Sequence, residues 1–409
     1  MSSKSKESLG SGFNRLFSAL VATKLGDGLI AAAGPLLAAN LTQDTVEISL
    51  MGALYMLPWL LFAIPIGTLV DRVDRRIALG VVNYSRALVA LIVTTLLITN
   101  TLNLVTFYIS VFLIGIFDVV SDTATQSLVP TLLSSDKLER GNSRIQAADT
   151  LLVGFLGAPL GAVIFTISAF VPWLVESAGF LAAAVLVSSI PASLLAATRI
   201  TKSRDEKFVD QMRGGIQYLW NYKKLRRLVI TTAALGFCFN IATATQVLFV
   251  LKVLAVPESW YGALMSAGAL GALGGAVLAA RASAKYGRGI ALAAGITITT
   301  IFETVQGLAP NVWTYALAMA LGGFGVAAWN ILLMSLYHSL IPNEIFGRIH
   351  GTRRTLVWGL MPIGAVIGGA IAKIDLRLPY VIAGTISIVI AAFSFGFIRR
   401  LGDESEHVN

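Results

Sequence analysis

The chain has 409 residues, 56% of them hydrophobic and only 13% charged, against about 25% charged residues in a soluble globular protein. That balance excludes a water-soluble enzyme or a nucleic-acid-binding domain and identifies a polytopic membrane protein. The formal net charge of +9 is what basic loops on one face of a membrane produce, and the single cysteine, Cys238, excludes an internal disulfide.

The apolar stretches predict twelve spans, near 13–39, 47–70, 77–99, 104–129, 145–166, 172–197, 228–254, 260–280, 289–309, 312–341, 356–373 and 379–398. Each is long enough to cross a hydrocarbon core about 30 Å thick. The first is long enough to remain in the membrane, so no cleaved leader is expected. The fold class is therefore all-α. Residues 1–198 are expected to form one six-helix bundle and residues 228–409 a second, pseudo-symmetric one, joined by a linker at 199–227.

In span 1, Asp27 lies about halfway along, with Lys24 one turn earlier and Gly26 and Gly28 on either side. Charges in the hydrocarbon are costly and mark function by default. Asp27 is a candidate proton or cation site tuned by Lys24, or the two form a self-neutralising i, i+3 pair. Between spans 2 and 3, the stretch Gly67 to Arg76 packs Asp71, Arg72, Asp74, Arg75 and Arg76 into six residues. Such a cluster cannot pass through lipid and must be an aqueous loop. Span 3 carries Arg86, and span 4 carries Asp118 and Asp122 four residues apart on one face. Two carboxylates about 5–6 Å apart cannot both ionise easily in a low dielectric, so one is expected to hold a proton. Counting turns pairs Asp122 with Arg86 and leaves Asp118 freer. Asp149 begins span 5 and is expected at a cytoplasmic mouth, either coupling protons or pairing with a loop arginine.

The linker 199–227 is the one long polar segment. Phe208, Met212, Ile216 and Leu219 fall at helical spacing and predict an amphipathic helix on the membrane surface. In the second half, Glu303 lies in the outer part of span 9 without an obvious partner. Glu176 and Lys252 are expected near external ends. All but five of the 31 Lys and Arg residues (Lys24, Arg86, Lys252, Lys373 and Arg377) fall in segments that share one side when both termini are cytoplasmic, as the positive-inside rule requires.

The halves repeat. Ser127-Leu128-Val129-Pro130 returns as Ser339-Leu340-Ile341-Pro342, and Pro159-Leu160-Gly161-Ala162-Val163-Ile164 returns as Pro362-Ile363-Gly364-Ala365-Val366-Ile367. Related halves with a site between them are a transporter signature. The pairs Gly157/Gly161, Gly271/Gly275 and Gly364/Gly368 have the spacing for close helix contact.

Gly67, Leu69, Asp71, Arg72, Arg75 and Arg76 resemble the loop 2–3 motif of the major facilitator superfamily, with Asp74 where a second glycine is usual. Gly26-Asp27-Gly28, and Pro342 to Arg348 followed by Trp358-Gly359-x-x-Pro362-x-Gly364, resemble the branch of macrolide, drug and enterobactin-type siderophore exporters. The resemblance covers the whole chain. Two departures stand out. Span 4 has its two aspartates where many proton antiporters carry an arginine, and Gly154 to Gly161 matches the antiporter motif of span 5 only in part.

The resemblance implies a major facilitator fold in a cytoplasmic membrane. It implies secondary active export of amphiphilic small molecules, drug-like or siderophore-like, by alternating access with proton antiport. Gly67, Asp71, Arg72, Arg75 and Arg76 would then act as a conformational lock, and Asp27, Asp118, Asp122 and Asp149 would couple protons. Lys24, Tyr55, Trp59, Arg86, Asn240, Gln246, Glu303, Trp329 and Asn330 are the candidates for the substrate cavity. The expected partners are the substrate, protons and the lipid bilayer, with no nucleic acid, for a monomer. No cofactor is expected, and no Walker-type loop for ATP occurs in the sequence. The same fold could carry a lipid, a lysolipid or a metal ion, although three dispersed histidines do not form a metal site. A membrane enzyme or a non-transporting sensor fits less well: no HExxH, CxxC or GxSxG occurs, and no long soluble domain is present.

Overall fold

The computed structural model describes residues 9–70, 72–191 and 208–406. Among them every regular element is helical, and twelve spans are long and apolar enough to cross a membrane. The first four helices are α1 (Ser11–Leu41), α2 (Thr45–Val70), α3 (Arg75–Ile98) and α4 (Leu104–Leu132). Polar residues start them where the apolar runs begin. Asp44 accepts the Val46 backbone N–H at 2.8 Å and opens α2. Asp74 accepts the Arg76 N–H at 2.9 Å and caps α3, which accounts for an acid at the motif's usual glycine. Asn103 and Thr106 form a reciprocal capping box on α4.

Span 5 is broken. It runs as α5 (Leu138–Asp149), a π-helical stretch (Thr150–Gly157) and α6 (Ala158–Ile167), followed by α7 (Val171–Ser188). Helices α8 (Phe208–Asn221) and α9 (Lys223–Thr243) come next, with a second π stretch at Phe249–Val253. Then follow α10 (Glu258–Tyr286), α11 (Arg288–Leu308), α12 (Val312–Leu340), α13 (Asn343–Gly359), α14 (Met361–Ala372) and α15 (Leu378–Glu406). Span 11 is thus broken at Leu360. The sequence repeat has a structural counterpart: α6 and α14 each begin with proline in the first turn, where its missing N–H costs nothing.

By contact, the chain forms one compact unit from residues 1–34 and 61–204, and another from residues 35–60 and 205–409. Residues 35–60, which the sequence groups with the first bundle, thus group with the second. The contacts that place them there are specific. Lys373 Nζ lies 3.0 Å from Asp44 Oδ2, and the Thr45 hydroxyl donates to the Gly369 carbonyl at 2.7 Å. Leu60 lies against Gly359, and Ser49 fills the space where Gly369 lacks a side chain.

All three glycine pairs sit at helix crossings. In the first unit a Cβ on Gly157 would strike the backbone of Gly28, and one on Gly161 would strike that of Leu29. In the second, Gly271 and Gly275 meet the backbone of Ala320 and Phe324, while Gly364 and Gly368 meet that of Phe237 and Ile241. Lipid provides no hydrophobic drive between helices, so close backbone approach supplies the packing. The amphipathic linker helix is present as α8. Its Leu219 is buried in the second unit's core with Leu225, Leu228 and Leu332, while Ile216 is exposed. The linker residues 199–207 lie outside the described residues.

Candidate functional site

The densest charge inside the apolar spans lies in the first unit, where α1, α3, α4, α5 and α7 contribute side chains. Arg86 on α3 is only 4% exposed. Its guanidinium lies 3.2 Å from Asp27 Oδ1, pairs with Asp118, and stacks with its Cζ 4.0 Å from the Phe180 ring centroid. Lys24 Nζ is 3.5 Å from Asp27 Oδ2 and 2.9 Å from Asp149 Oδ1. One chain of ion pairs therefore runs Asp118–Arg86–Asp27–Lys24–Asp149. A buried arginine presents a planar fork of donors, which lets it serve two carboxylates at once. Asp149 lies directly before the π stretch, a local distortion frequent at functional sites.

This geometry revises three sequence expectations. Asp118, expected to be freer, is held by Arg86, while Asp122 accepts from Gln126 Nε2 at 2.8 Å. The guanidinium sits at the end of a long side chain and reaches past the depth of its own Cα, which turn counting ignores. Asp149 pairs with Lys24, a partner that neither sequence alternative named. Glu176, expected at an external end, is buried at 3% exposure with its Cα against Gly26. The absence of a side chain at Gly26 admits α7 at that point. A glycine next to an intramembrane charge was the signal available for this approach.

The loop motif is placed in part. Asp71 lies outside the described residues. Gly67 has open space where a Cβ would stand, and Arg72 is exposed. Arg75 is half-buried. Arg76 donates to the Ile190 carbonyl at 2.7 Å and lies 3.7 Å from Asp74.

In the second unit the cavity candidates separate. Trp59 and Trp358 meet edge-on at 4.9 Å between centroids. The Arg354 guanidinium lies against both rings, at 4.2 Å and 4.3 Å. Tyr55 and Asn330 are exposed, whereas Trp329 is buried in the core cluster beside Leu332 and Leu333. Asn240 donates back to the Gly236 carbonyl of its own helix at 3.0 Å. Gln246 donates to the Tyr315 hydroxyl at 2.8 Å, within a buried group of Tyr315, Tyr380 and Phe249. Glu303 is buried inside the second unit rather than reaching for an interface, and its Oε1 has no hydrogen-bond partner among the described residues.

Residues 10–407 match the family model described as transmembrane secretion effector. Macrolide efflux protein A of Streptococcus pyogenes is 22% identical over 360 residues, covering 86% of this chain and 87% of that protein. The uncharacterized MFS-type transporter YkuC of Bacillus subtilis strain 168 is 23% identical over 404 residues, covering 94% and 91%. Among solved structures, a bacterial homologue of the iron transporter ferroportin, in an inward-facing state, superposes with a TM-score of 0.74 at 13% identity. The match covers 95% of this chain and all of that one.

Proposed function

The chain belongs to the transmembrane secretion effector family of the major facilitator superfamily, and from that premise we propose that it exports amphiphilic small molecules by alternating access in exchange for protons. The observation that carries this reading is the ion-pair chain of Asp118, Arg86, Asp27, Lys24 and Asp149. It sets three acids against two bases inside mostly apolar spans, and buried ionisable chains of this kind mark proton relays in transporters. Asp27, Asp118 and Asp149 are its proton-handling groups, with Asp122 one turn from Asp118 as an accessory acid. The similarity to a macrolide efflux protein supports outward movement of a drug-like cargo.

In this reading the protein is a monomer in a bacterial cytoplasmic membrane with both termini inside. The loop 67–76 is the cytoplasmic lock, with Gly67, Asp71, Arg72, Arg75 and Arg76 as its residues. The substrate path passes Tyr55, Trp59 and Asn330. Transport of a fluorescent lipophilic cation into inverted vesicles, with and without a protonophore, tests the proposal. The expected result is accumulation that depends on the pH gradient and collapses with the protonophore. Accumulation that ignores the gradient would remove proton antiport from the reading.

A further inference from the structure

Glu176 adds a fourth acid to the site, and its surroundings differ from those of the other three. It sits on α7 at 3% exposure, and its Oε2 has no hydrogen-bond partner among the described residues. Its backbone is pressed onto Gly26, with only 2.9 Å between the Glu176 Cα and the place a Gly26 Cβ would take. The charged groups acting on it are Asp27 from α1, Arg86 from α3 and Asp118 from α4. Lys24 and Asp149 complete the cluster one step further out.

The charges do not balance if every acid is ionised: Lys24 and Arg86 face Asp27, Asp118, Asp149 and Glu176. Asp149 is the most exposed acid, at 41%, and has Lys24 at 2.9 Å, so water and a salt bridge stabilise its charge. Asp27 and Asp118 share Arg86. Glu176 is the least exposed of the four and its Oε2 lacks a hydrogen-bond partner among the described residues, and a buried carboxylate charge so placed is the costliest member of such a set.

We propose that Glu176 is the site's proton carrier, holding a neutral carboxylic acid while Arg86 is engaged by Asp27 and Asp118. The exchange conserves charge. When Arg86 releases Asp27 and turns to Glu176, the Glu176 O–H bond breaks, and its proton passes, directly or through one water, to the Asp27 carboxylate. Glu176 becomes the ion paired with Arg86, and Asp27 becomes the neutral acid. Side-chain exposure rises from Glu176 to Asp27 at 23% and Asp149 at 41%, which orders the acids from interior to water. Gly26 and Gly28 fix the geometry, since a side chain on Gly26 would push α7 and its glutamate away from α1.

This assignment rests on the proton-antiport reading, but part of its test does not. Infrared spectra of the purified full-length protein in nanodiscs should contain a protonated-carboxyl band at neutral pH. One component of that band should disappear in Glu176→Gln and be retained in Glu303→Gln, which removes the other buried acid together with any component of its own. An unchanged band in Glu176→Gln overturns the proposal. In vesicles, Glu176→Gln should keep a melting temperature close to that of the parent while losing at least tenfold of the gradient-driven dye accumulation, with part of it restored in Glu176→Asp. Full driven accumulation in Glu176→Gln also overturns the proposal. If the parent itself accumulates no dye under a gradient, the export reading fails, and the infrared band alone still decides whether Glu176 holds the proton.

Discussion

Arg86 gives the sharpest energetic test of the site. Replacing it with leucine keeps much of the volume but removes the one cation shared by Asp27 and Asp118. It also removes the stack on Phe180. All three charged side chains are less than a quarter exposed, so solvent screens little of the loss. Removing one partner of a buried ion pair costs about 3–5 kcal/mol, chiefly because the other charge is left uncompensated. Arg86→Leu should therefore be destabilised by about that amount. Asp118→Asn in the same chain should recover about 1–3 kcal/mol, the coupling expected for residues in one network. The assay is reversible unfolding in mixed micelles followed by tryptophan fluorescence, run on the parent, both single variants and the double variant. Additive single effects, or an Arg86→Leu chain within about 0.5 kcal/mol of the parent, would refute the pairing. Arg86→Lys should fall between the two, because an ammonium lacks the planar fork that reaches both carboxylates.

The remaining predictions concern packing and the loop before α2. Gly161→Ala, which drives a methyl into the Leu29 backbone, should cost about 1–3 kcal/mol by overpacking, whereas Gly67→Ala, with open space around it, should unfold like the parent; equal effects would show that the α1–α6 contact is looser than described. The Lys373 ammonium, helped by the Val46 N–H, holds the Asp44 carboxyl below its ordinary range. The contact should thus be complete above the ordinary carboxylate value of about 3.9 and be lost only as the pH falls through the still lower folded value. Hydrogen exchange at residues 42–49 should be unchanged between pH 7 and pH 5 once intrinsic rates are corrected, and faster in Lys373→Met, which spares the Asp44 cap; protection that fades across that pH interval would contradict the assignment.

The spans were legible because a bilayer leaves few choices. Every backbone polar group must be satisfied inside the segment, so long apolar runs become helices and charged stretches become loops. The glycine pairs were legible for a similar reason, since residues four apart share a helix face. The individual charges Lys24, Asp27, Arg86 and Asp118 stood out against hydrocarbon, but their pairing did not. Whether Arg86 meets Asp118 or Asp122 depends on where a long side chain ends, and helix counting reports only where it starts. Distance from the end of a span does not give the burial of Glu176, which the close approach of α7 to Gly26 decides. Residues 35–60 were assigned by chain order, and contacts such as Thr45 to Gly369 join elements more than three hundred residues apart.

The glycine crossings also bear on how such a chain can change over generations. At Gly271, Gly275 and Gly323, α10 and α12 touch backbone to backbone, so even the smallest mutational step, a single methyl, has nowhere to go. Selection for a new cargo must then work around these fixed points. Variation should accumulate at exposed positions such as Tyr55 and Asn330, since substitutions at exposed positions usually shift stability little. A library selected for resistance to unrelated compounds would be expected to return those three glycines untouched, because the tightest joints are also the least evolvable ones.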